Sequence, residues 1–464
     1  MSSKPKSPVH VVILAAGKGT RMKTIRPKLL HPLAGLPLVQ YSLRSARSLQ
    51  PETITLVVGY QADVLRTALA SEADLAFAVQ EPQLGTGHAV LQAAPILGHR
   101  TGTLVLLYGD VPLLRAETLR RLVDHHEATG AAATLVTAHI DRPFGYGRIV
   151  REGGHITRVV EERDATAEQR AITEFNSGIW AFSLDGLFDA LRALGTNNDQ
   201  GEYYLTDLVG AFRSAGRPVE TVVLDDATEV RGVNSQKELA EMSAIVRASR
   251  NDALMAAGVT ITDPATTYVD EGVVVGADTI LHPNVHLEGR TRVGQGCVIE
   301  SGVRIVDSTV GDGSVVRNHS VIEASALDAE TQVGPFARLR PGSRVGARAH
   351  IGNFVELKNT VVGEGTKASH LSYLGDATIG SGVNVGAGTI TCNYDGARKN
   401  PTVIEDHAFI GSDSQLVAPV TVGRGAYVAA GSSIVEDVPP GALAIARGRQ
   451  VNKAGWVERK KKGR

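Results

Sequence analysis

The 464-residue chain is 43% hydrophobic and 21% charged, enough apolar material for more than one core, because single cores stop growing near roughly 250–300 residues. Its 48 basic and 49 acidic side chains leave a formal charge of -1, which excludes a global field that would gather nucleic acid or an anionic membrane. No apolar run has the length of a bilayer span, and the N-terminal stretch shows no small-residue cleavage site. The two cysteines, Cys297 and Cys392, stand far apart without ligand-spaced partners, so a cytoplasmic protein with neither a disulfide framework nor a zinc site is expected.

Through residues 9–234, apolar β-type runs alternate with longer amphipathic stretches. The runs are Val11-Val12-Ile13-Leu14, Thr55-Leu56-Val57-Val58, Leu104-Val105-Leu106-Leu107, Thr134-Leu135-Val136 and Ile179-Trp180-Ala181-Phe182. Uninterrupted apolar strands suit a sheet covered on both faces, which predicts a mostly parallel, Rossmann-like α/β domain over residues 1–235.

Directly after the first run comes Leu14-Ala15-Ala16-Gly17-Lys18-Gly19-Thr20-Arg21, followed by Pro27-Lys28. Glycines let backbone N–H groups approach phosphate oxygens, while Lys18, Arg21 and Lys28 bring positive charge for a triphosphate or its pyrophosphate leaving group. Alone, such a turn is also an ordinary strand-to-helix connection; the added cations favour phosphate. It is neither a Walker loop nor the dinucleotide fingerprint. It resembles the LAAGxGTRM…PK signature of sugar nucleotidyltransferases, and that resemblance assigns Leu14, Ala15, Ala16, Gly17 and Lys28 to the nucleotide, with Lys28 and Arg21 catalytic.

In the same family Gln80, Gly85 and Thr86 of Gln80-Glu81-Pro82-Gln83-Leu84-Gly85-Thr86 would read uracil, although a polar surface loop has the same composition. Tyr108-Gly109-Asp110 closes the run 104–107, at the end where open α/β sheets bind ligands, so Asp110 is placed to hold Mg²⁺ against an α-phosphate; a helix cap is the plain alternative. The resemblance adds Tyr108 and Gly109 to the nucleotide contacts and Asn234 as second metal ligand. It gives Gly147, Glu161, Asn176 and Asn234 to the sugar. No nucleophile is required if a sugar phosphate oxygen attacks the α-phosphorus of UTP in line, with catalysis by positioning and charge neutralisation.

Residues 236–257 lack proline and space Leu239, Met242, Ile245, Val246 and Leu254 helically, which predicts a linking helix. Over residues 258–464 the pattern changes. An aliphatic residue recurs at every sixth position through Val269, Val275, Leu281, Leu287, Val293, Ile299 and Ile305, slips by one residue to Val310, Val316 and Ile322, slips again to Leu327–Leu357, and ends with a set from Ile404 to Ile434. Four residues after the first-set members stand Val273, Thr279, Val285, Thr291, Cys297, Val303 and Thr309, all small or β-branched and expected to point inward. Helices cannot hold a strict period of six. The repeat is similar to the left-handed parallel β-helix of hexapeptide acyltransferases. On periodicity alone a structural spacer stays open.

Arg340 and Lys358 are cations placed to hold a sugar 1-phosphate, and His370 in Lys367-Ala368-Ser369-His370-Leu371-Ser372-Tyr373 has the side chain best matched to deprotonating an amine. The period fails between Ile390 and Ile404, where a loop carries Cys392-Asn393-Tyr394-Asp395-Gly396 and Lys399. Both motif sets, in order, resemble bifunctional bacterial UDP-N-acetylglucosamine pyrophosphorylase/glucosamine-1-phosphate N-acetyltransferases over nearly the whole chain. The resemblance implies His370 as base with Glu356 tuning it, and Arg340, Lys358, Tyr373, Asn384 and Lys399 on the amino-sugar phosphate. It places Ala387, Asn393, Tyr394, Ser412, Ala430 and Arg447 at acetyl-CoA, with UTP, glucosamine 1-phosphate and N-acetylglucosamine 1-phosphate as further ligands and a homotrimer as the assembly. Arg231, where the family often has an acid, and Glu162-Arg163, in place of a His-Lys pair, depart from its pattern. The rival readings are a single-activity nucleotidyltransferase with a structural or oligomerising β-helix, and a non-enzymatic scaffold. The basic tail 459–464 is read as a solvated terminus.

Overall fold

The computed structural model describes residues 7–462. Residues 1–6 and the last two of the basic tail, 463–464, lie outside the described residues. The chain divides into two compact units between Ser243 and Ala244.

The first unit has strands β1 (Val9–Ala15), β2 (Thr53–Val58), β3 (Leu75–Val79), β4 (Thr103–Tyr108), β5 (Ala133–His139), β6 (Arg148–Glu152), β7 (His155–Val160), β8 (Glu174–Ser183) and β9 (Val219–Leu224), of which β1, β2, β4, β5 and β8 hold the predicted apolar runs. They form one sheet in the order β9-β5-β8-β4-β1-β2-β3, with β6 pairing β8 and β7. All neighbours along that path are parallel except β8, which runs antiparallel to both β4 and β5. Val11 and Ile13 of β1 join one apolar layer and Val12 the other, which is why no polar residue interrupts the run. The chain leaves β1 toward β2 on one side and returns to β4 on the other. The carboxyl ends of β1 and β4 therefore flank the switch point, where an open α/β sheet leaves a crevice.

The predicted linking helix is present as Gln236–Ala256, and the division between the units falls within it. Its Leu254 packs into the core of the second unit, and the buried Asn251, invisible to an apolar pattern, donates to the carbonyls of Pro264 (2.9 Å) and Thr267 (3.0 Å).

The second unit is a left-handed parallel β-helix. Three parallel sheets run its length: the first from Thr260–Ile261 to Leu443–Ala444, the second from Tyr268–Val269 to Ser433–Ile434, the third from Val274–Val275 to Val420–Val422. Leu281 pairs with Ile299 and Ile299 with Val316, so equivalent positions recur every coil and their side chains stack in axial columns. The aliphatic residues of the sequence repeat fill that axis in one continuous core, Leu281, Leu287, Ile299 and Ile305 with no exposed surface.

Two expectations need correcting. Thr309 points outward, and Ser308 takes the small inward position instead, because the one-residue slip falls before it; the Ser308 hydroxyl is satisfied by the carbonyl of Val306 at 2.7 Å. The expected break between Ile390 and Ile404 is present but shorter, and the coils before it are unbroken. Ala368 and Thr391 hold axial positions, and Thr391 completes its hydrogen bonds with the backbone of Gly375 (2.8 and 3.0 Å). Only the segment 393–400 leaves the coil.

Shortening an axial side chain leaves a cavity that closed coils cannot collapse into. Leu287→Ala is expected to cost about 2–5 kcal/mol, read as a lowered midpoint for loss of β signal in urea.

Candidate active sites

At the switch point, Leu14, Ala15, Ala16 and Gly17 from the end of β1 wall a cavity of about 330 Å³ together with Lys28, Gln80, Gly85, Thr86, Tyr108 and Asp110. A second cavity of about 550 Å³ takes in Arg21, Gly147, Glu161 and Asn176. Tyr108, Asp110, Thr86 and Asn234 belong to both walls, so the two spaces meet at Asp110 and Asn234. Gly109 has a packing role: its N–H donates to the Leu14 carbonyl at 3.0 Å, and a Cβ there would lie 2.8 Å from Leu29. Lys18 is exposed and lines neither cavity.

The loop after β1 reaches this geometry through Gly19, whose φ of +59° and bare Cα let it press on Lys28; a Cβ would fall 2.9 Å from Lys28 Cβ. The Lys28 ammonium bridges Asp110 Oδ2 and Asn234 Oδ1, the latter at 3.1 Å. A carboxylate and an amide oxygen thus converge on one cationic point. That hard-oxygen pair fits Mg²⁺, which keeps waters and substrate phosphates as its remaining ligands. Among the described residues no cluster of three or more His, Cys, Asp or Glu forms a fuller cage.

In the second cavity Glu161 lies at the end of β7. Burial raises its carboxyl against the hydrogen bond from Thr206 (3.0 Å), with Asp164 and Asp207 adding to the rise. A Cβ on Gly147 would meet Val159 at 2.8 Å and the Glu161 carboxylate at 3.4 Å, so glycine keeps that wall open. Burial, with Glu161 and Asp110 nearby, pushes the Tyr108 phenol up and keeps it neutral. The Asn176 backbone N–H donates to the Gly147 carbonyl at 2.8 Å, tying two predicted sugar residues together. Glu162, one of the departures, ion-pairs with the buried Arg148 at 2.7 Å and accepts from Gly145 at 3.3 Å, which fixes the turn beside Gly147. Arg231 pairs with Glu241 on the surface at 2.7 Å. Sequence reading missed residues 200–206, where Glu202, Tyr204 and Thr206 line the second cavity; the run Glu202-Tyr203-Tyr204-Leu205-Thr206 was its available signal.

On the β-helix, the second sheet stacks Glu356 against Tyr373, and Lys358 against Gly375. Arg340 donates to Glu356 at 3.0 Å and Lys358 to Asp376 at 2.8 Å. The segment 393–400 folds back on itself, with Asn400 N–H donating to the Asn393 carbonyl at 2.8 Å and Tyr394 bridging Lys399. It delivers Lys399 against Lys358. Hydrogen bonding to Asp376 raises the Lys358 amine, and the neighbouring Lys358 lowers Lys399. Arg340, Lys358, Tyr373, Asn393 and Lys399 are thus brought onto one face.

His370 and Asn384 stand on the first sheet, on strands paired through Lys367 and Asn384. Glu356 accepts from Arg340, and His370 Nδ1 meets Asn353 Oδ1 at 2.6 Å across the ladder. With the amide oxygen accepting, Nδ1 carries the proton and Nε2 presents a lone pair to solvent. Ala387, Ser412 and Ala430 each stand two residues beyond paired positions of the first sheet, Val385, Ile410 and Val428, so they form a column of small side chains. Arg447 closes it by donating to the Ala430 carbonyl at 2.6 Å. Tyr394 is 61% exposed on the projecting segment.

Comparison with known proteins matches residues 11–207 to the MobA-like NTP transferase domain, and residues 272–307 and 401–435 to the bacterial transferase hexapeptide repeats. The chain is 49% identical over 455 residues to the bifunctional protein GlmU of Pelobacter propionicus, covering 98% of this chain and 99% of the relative. It is 52% identical over 463 residues to that of Geobacter metallireducens, covering 96% and 97%, and 50% identical over 454 residues to that of Brevibacillus brevis, covering 98% of each.

The His370 geometry has a direct spectroscopic consequence. In the neutral ring, imidazole ¹⁵N shifts are expected to place the proton on Nδ1, and Asn353→Ala is expected to return it to Nε2, the form free histidine favours. A parent protein already protonated on Nε2 would contradict the assignment.

Proposed function

The chain belongs to the family of bifunctional GlmU proteins, and we propose that its second unit acetylates glucosamine 1-phosphate from acetyl-CoA while its first unit transfers UMP from UTP to the resulting N-acetylglucosamine 1-phosphate. UDP-N-acetylglucosamine, pyrophosphate and coenzyme A are the products. It is a cytoplasmic enzyme that works as a homotrimer; among the described residues no helix is long and apolar enough to cross a membrane.

The observation that carries the reading is the pair of cavities meeting at Asp110 and Asn234, one under the glycine-rich phosphate loop and one lined by Glu161, Asn176 and Gly147. A nucleoside triphosphate in the first and a sugar phosphate in the second bring the sugar phosphate oxygen and the α-phosphorus together at the shared wall. The new P–O bond forms as the bond to the β-phosphate breaks and pyrophosphate leaves. Asp110 and Asn234 would hold Mg²⁺, which supplies positive charge at the α-phosphate when bound. Lys28 and Arg21 neutralise the charge that builds on the transferred and leaving phosphates. Leu14, Ala15, Gln80, Gly85, Thr86 and Tyr108 shape the nucleotide end.

On the β-helix, Arg340, Lys358 and Lys399 receive the sugar phosphate, with Tyr373 and Asn384 on the sugar. The small column of Ala387, Ser412 and Ala430 admits the thin chain of acetyl-CoA, with Arg447 at its end and Asn393 and Tyr394 near the thioester. His370 Nε2 takes the proton from the amine as its nitrogen attacks the acetyl carbonyl; the C–N bond forms, the C–S bond breaks, and coenzyme A leaves as its thiol once protonated.

Asp110→Ala is expected to lower uridylyl transfer by about a hundredfold or more while sparing acetylation. His370→Ala is expected to lower acetylation by roughly 10²–10⁴-fold and spare uridylyl transfer. Separate assays of the two half-reactions on the folded full chain check both, and loss of both activities in either variant would sink the separation of sites.

A further inference from the structure

Asp376 has no place in the roles above, yet three side chains of the β-helix face donate to it. It follows the strand Tyr373–Gly375 at a corner between the second and third sheets. Its carboxylate is only 14% exposed and is surrounded by donors: Lys358 Nζ at 2.8 Å and Asn393 Nδ2 at 2.6 Å on one oxygen, Asn359 Nδ2 at 3.0 Å on the other. Asn393 also reaches the Tyr373 hydroxyl at 3.4 Å. The crowding is possible only because residue 375 is glycine: a Cβ there would lie 2.4 Å from the Tyr373 hydroxyl and 2.8 Å from Asn393 Nδ2.

We propose that Asp376 is the positioning residue of the acetyl-transfer site, holding Lys358 on the coil and, through Asn393, the projecting segment 393–400 that carries Lys399, so that both ammonium groups face one anion before it arrives. The inference rests on the proposed acetyl-transfer function and deepens it. Two lysines against each other repel, and a carboxylate between the coil and the segment offsets that repulsion in the empty site. Once the phosphate is bound, it performs the same service. Asp376 therefore acts on the free protein's readiness to bind more than on the bound complex. A competing effect runs the other way, since removing a negative charge near an anion site strengthens attraction. Chemistry decides between them at Asp376→Asn. The amide has one acceptor oxygen and turns an NH₂ group toward a set of three donors, so the segment is released rather than merely recharged.

On the full chain, Asp376→Asn is expected to raise the KM for glucosamine 1-phosphate about tenfold or more, leave kcat of acetylation within about threefold, and leave uridylyl transfer unchanged. Hydrogen exchange at the amides of residues 393–400 is expected to quicken in the variant without ligand and to return toward the parent rate with saturating glucosamine 1-phosphate. If Asp376 works by placing Lys399, Lys399→Met is expected to raise KM much less in the Asp376→Asn background than alone. An unchanged or lower KM, or additive effects of the two substitutions, overturns the proposal, and so does unaltered exchange. A parent protein that does not acetylate at all would instead remove the function on which the proposal stands.

Discussion

In-register pairing of parallel strands is the constraint on which both units depend. On the β-helix it stacks Leu281, Ile299 and Val316 into an axial column and, by the same register, sets outward residues above one another once per coil. Glu356 and Tyr373, or Ala387 and Ser412, are neighbours because of that repetition, not because they are near in sequence. In the first unit the parallel strands β1 and β4 run side by side and then feed chains that diverge, which opens the crevice at Gly17 and Asp110. Backbone geometry thus decides where a ligand fits before any side chain is chosen.

Charge is then arranged within those frames. Lys28 satisfies Asp110 and Asn234 together, so two oxygens that would otherwise repel an incoming triphosphate are already neutralised from within the phosphate loop. At Glu161 burial outweighs the Thr206 hydrogen bond and the carboxyl rises. At Lys358 the balance is opposite: the bond to Asp376 exceeds the cost of burial and the amine stays charged.

Much of this was legible in the sequence, for reasons that differ by element. The apolar runs and the six-residue repeat report burial directly, so the central strands of the parallel sheet and most of the coils could be read from them. Motifs pointed to Gly17, Lys28 and Asp110, which line one cavity, because phosphate chemistry restricts residue type. Thr309 was misread because a slip in register can fall on either side of a small residue, and only the backbone shows which. Ala368 and Thr391 hid two coils because a small or hydroxylated side chain can fill an axis where the pattern demands an aliphatic one. Asn353 and Asp376 were silent since their contacts join positions that are distant in sequence and of ordinary polar type.

The central claim is that one chain carries the acetyl group and then the nucleotide onto the same sugar phosphate. A time course by ³¹P and ¹H NMR, with the full chain, glucosamine 1-phosphate, acetyl-CoA, UTP and Mg²⁺, tests it most directly. N-acetylglucosamine 1-phosphate is expected to appear first and UDP-N-acetylglucosamine to follow, with one coenzyme A and one pyrophosphate released per product. Formation of UDP-glucosamine when acetyl-CoA is withheld, or of nucleotide sugar without coenzyme A release, would contradict it.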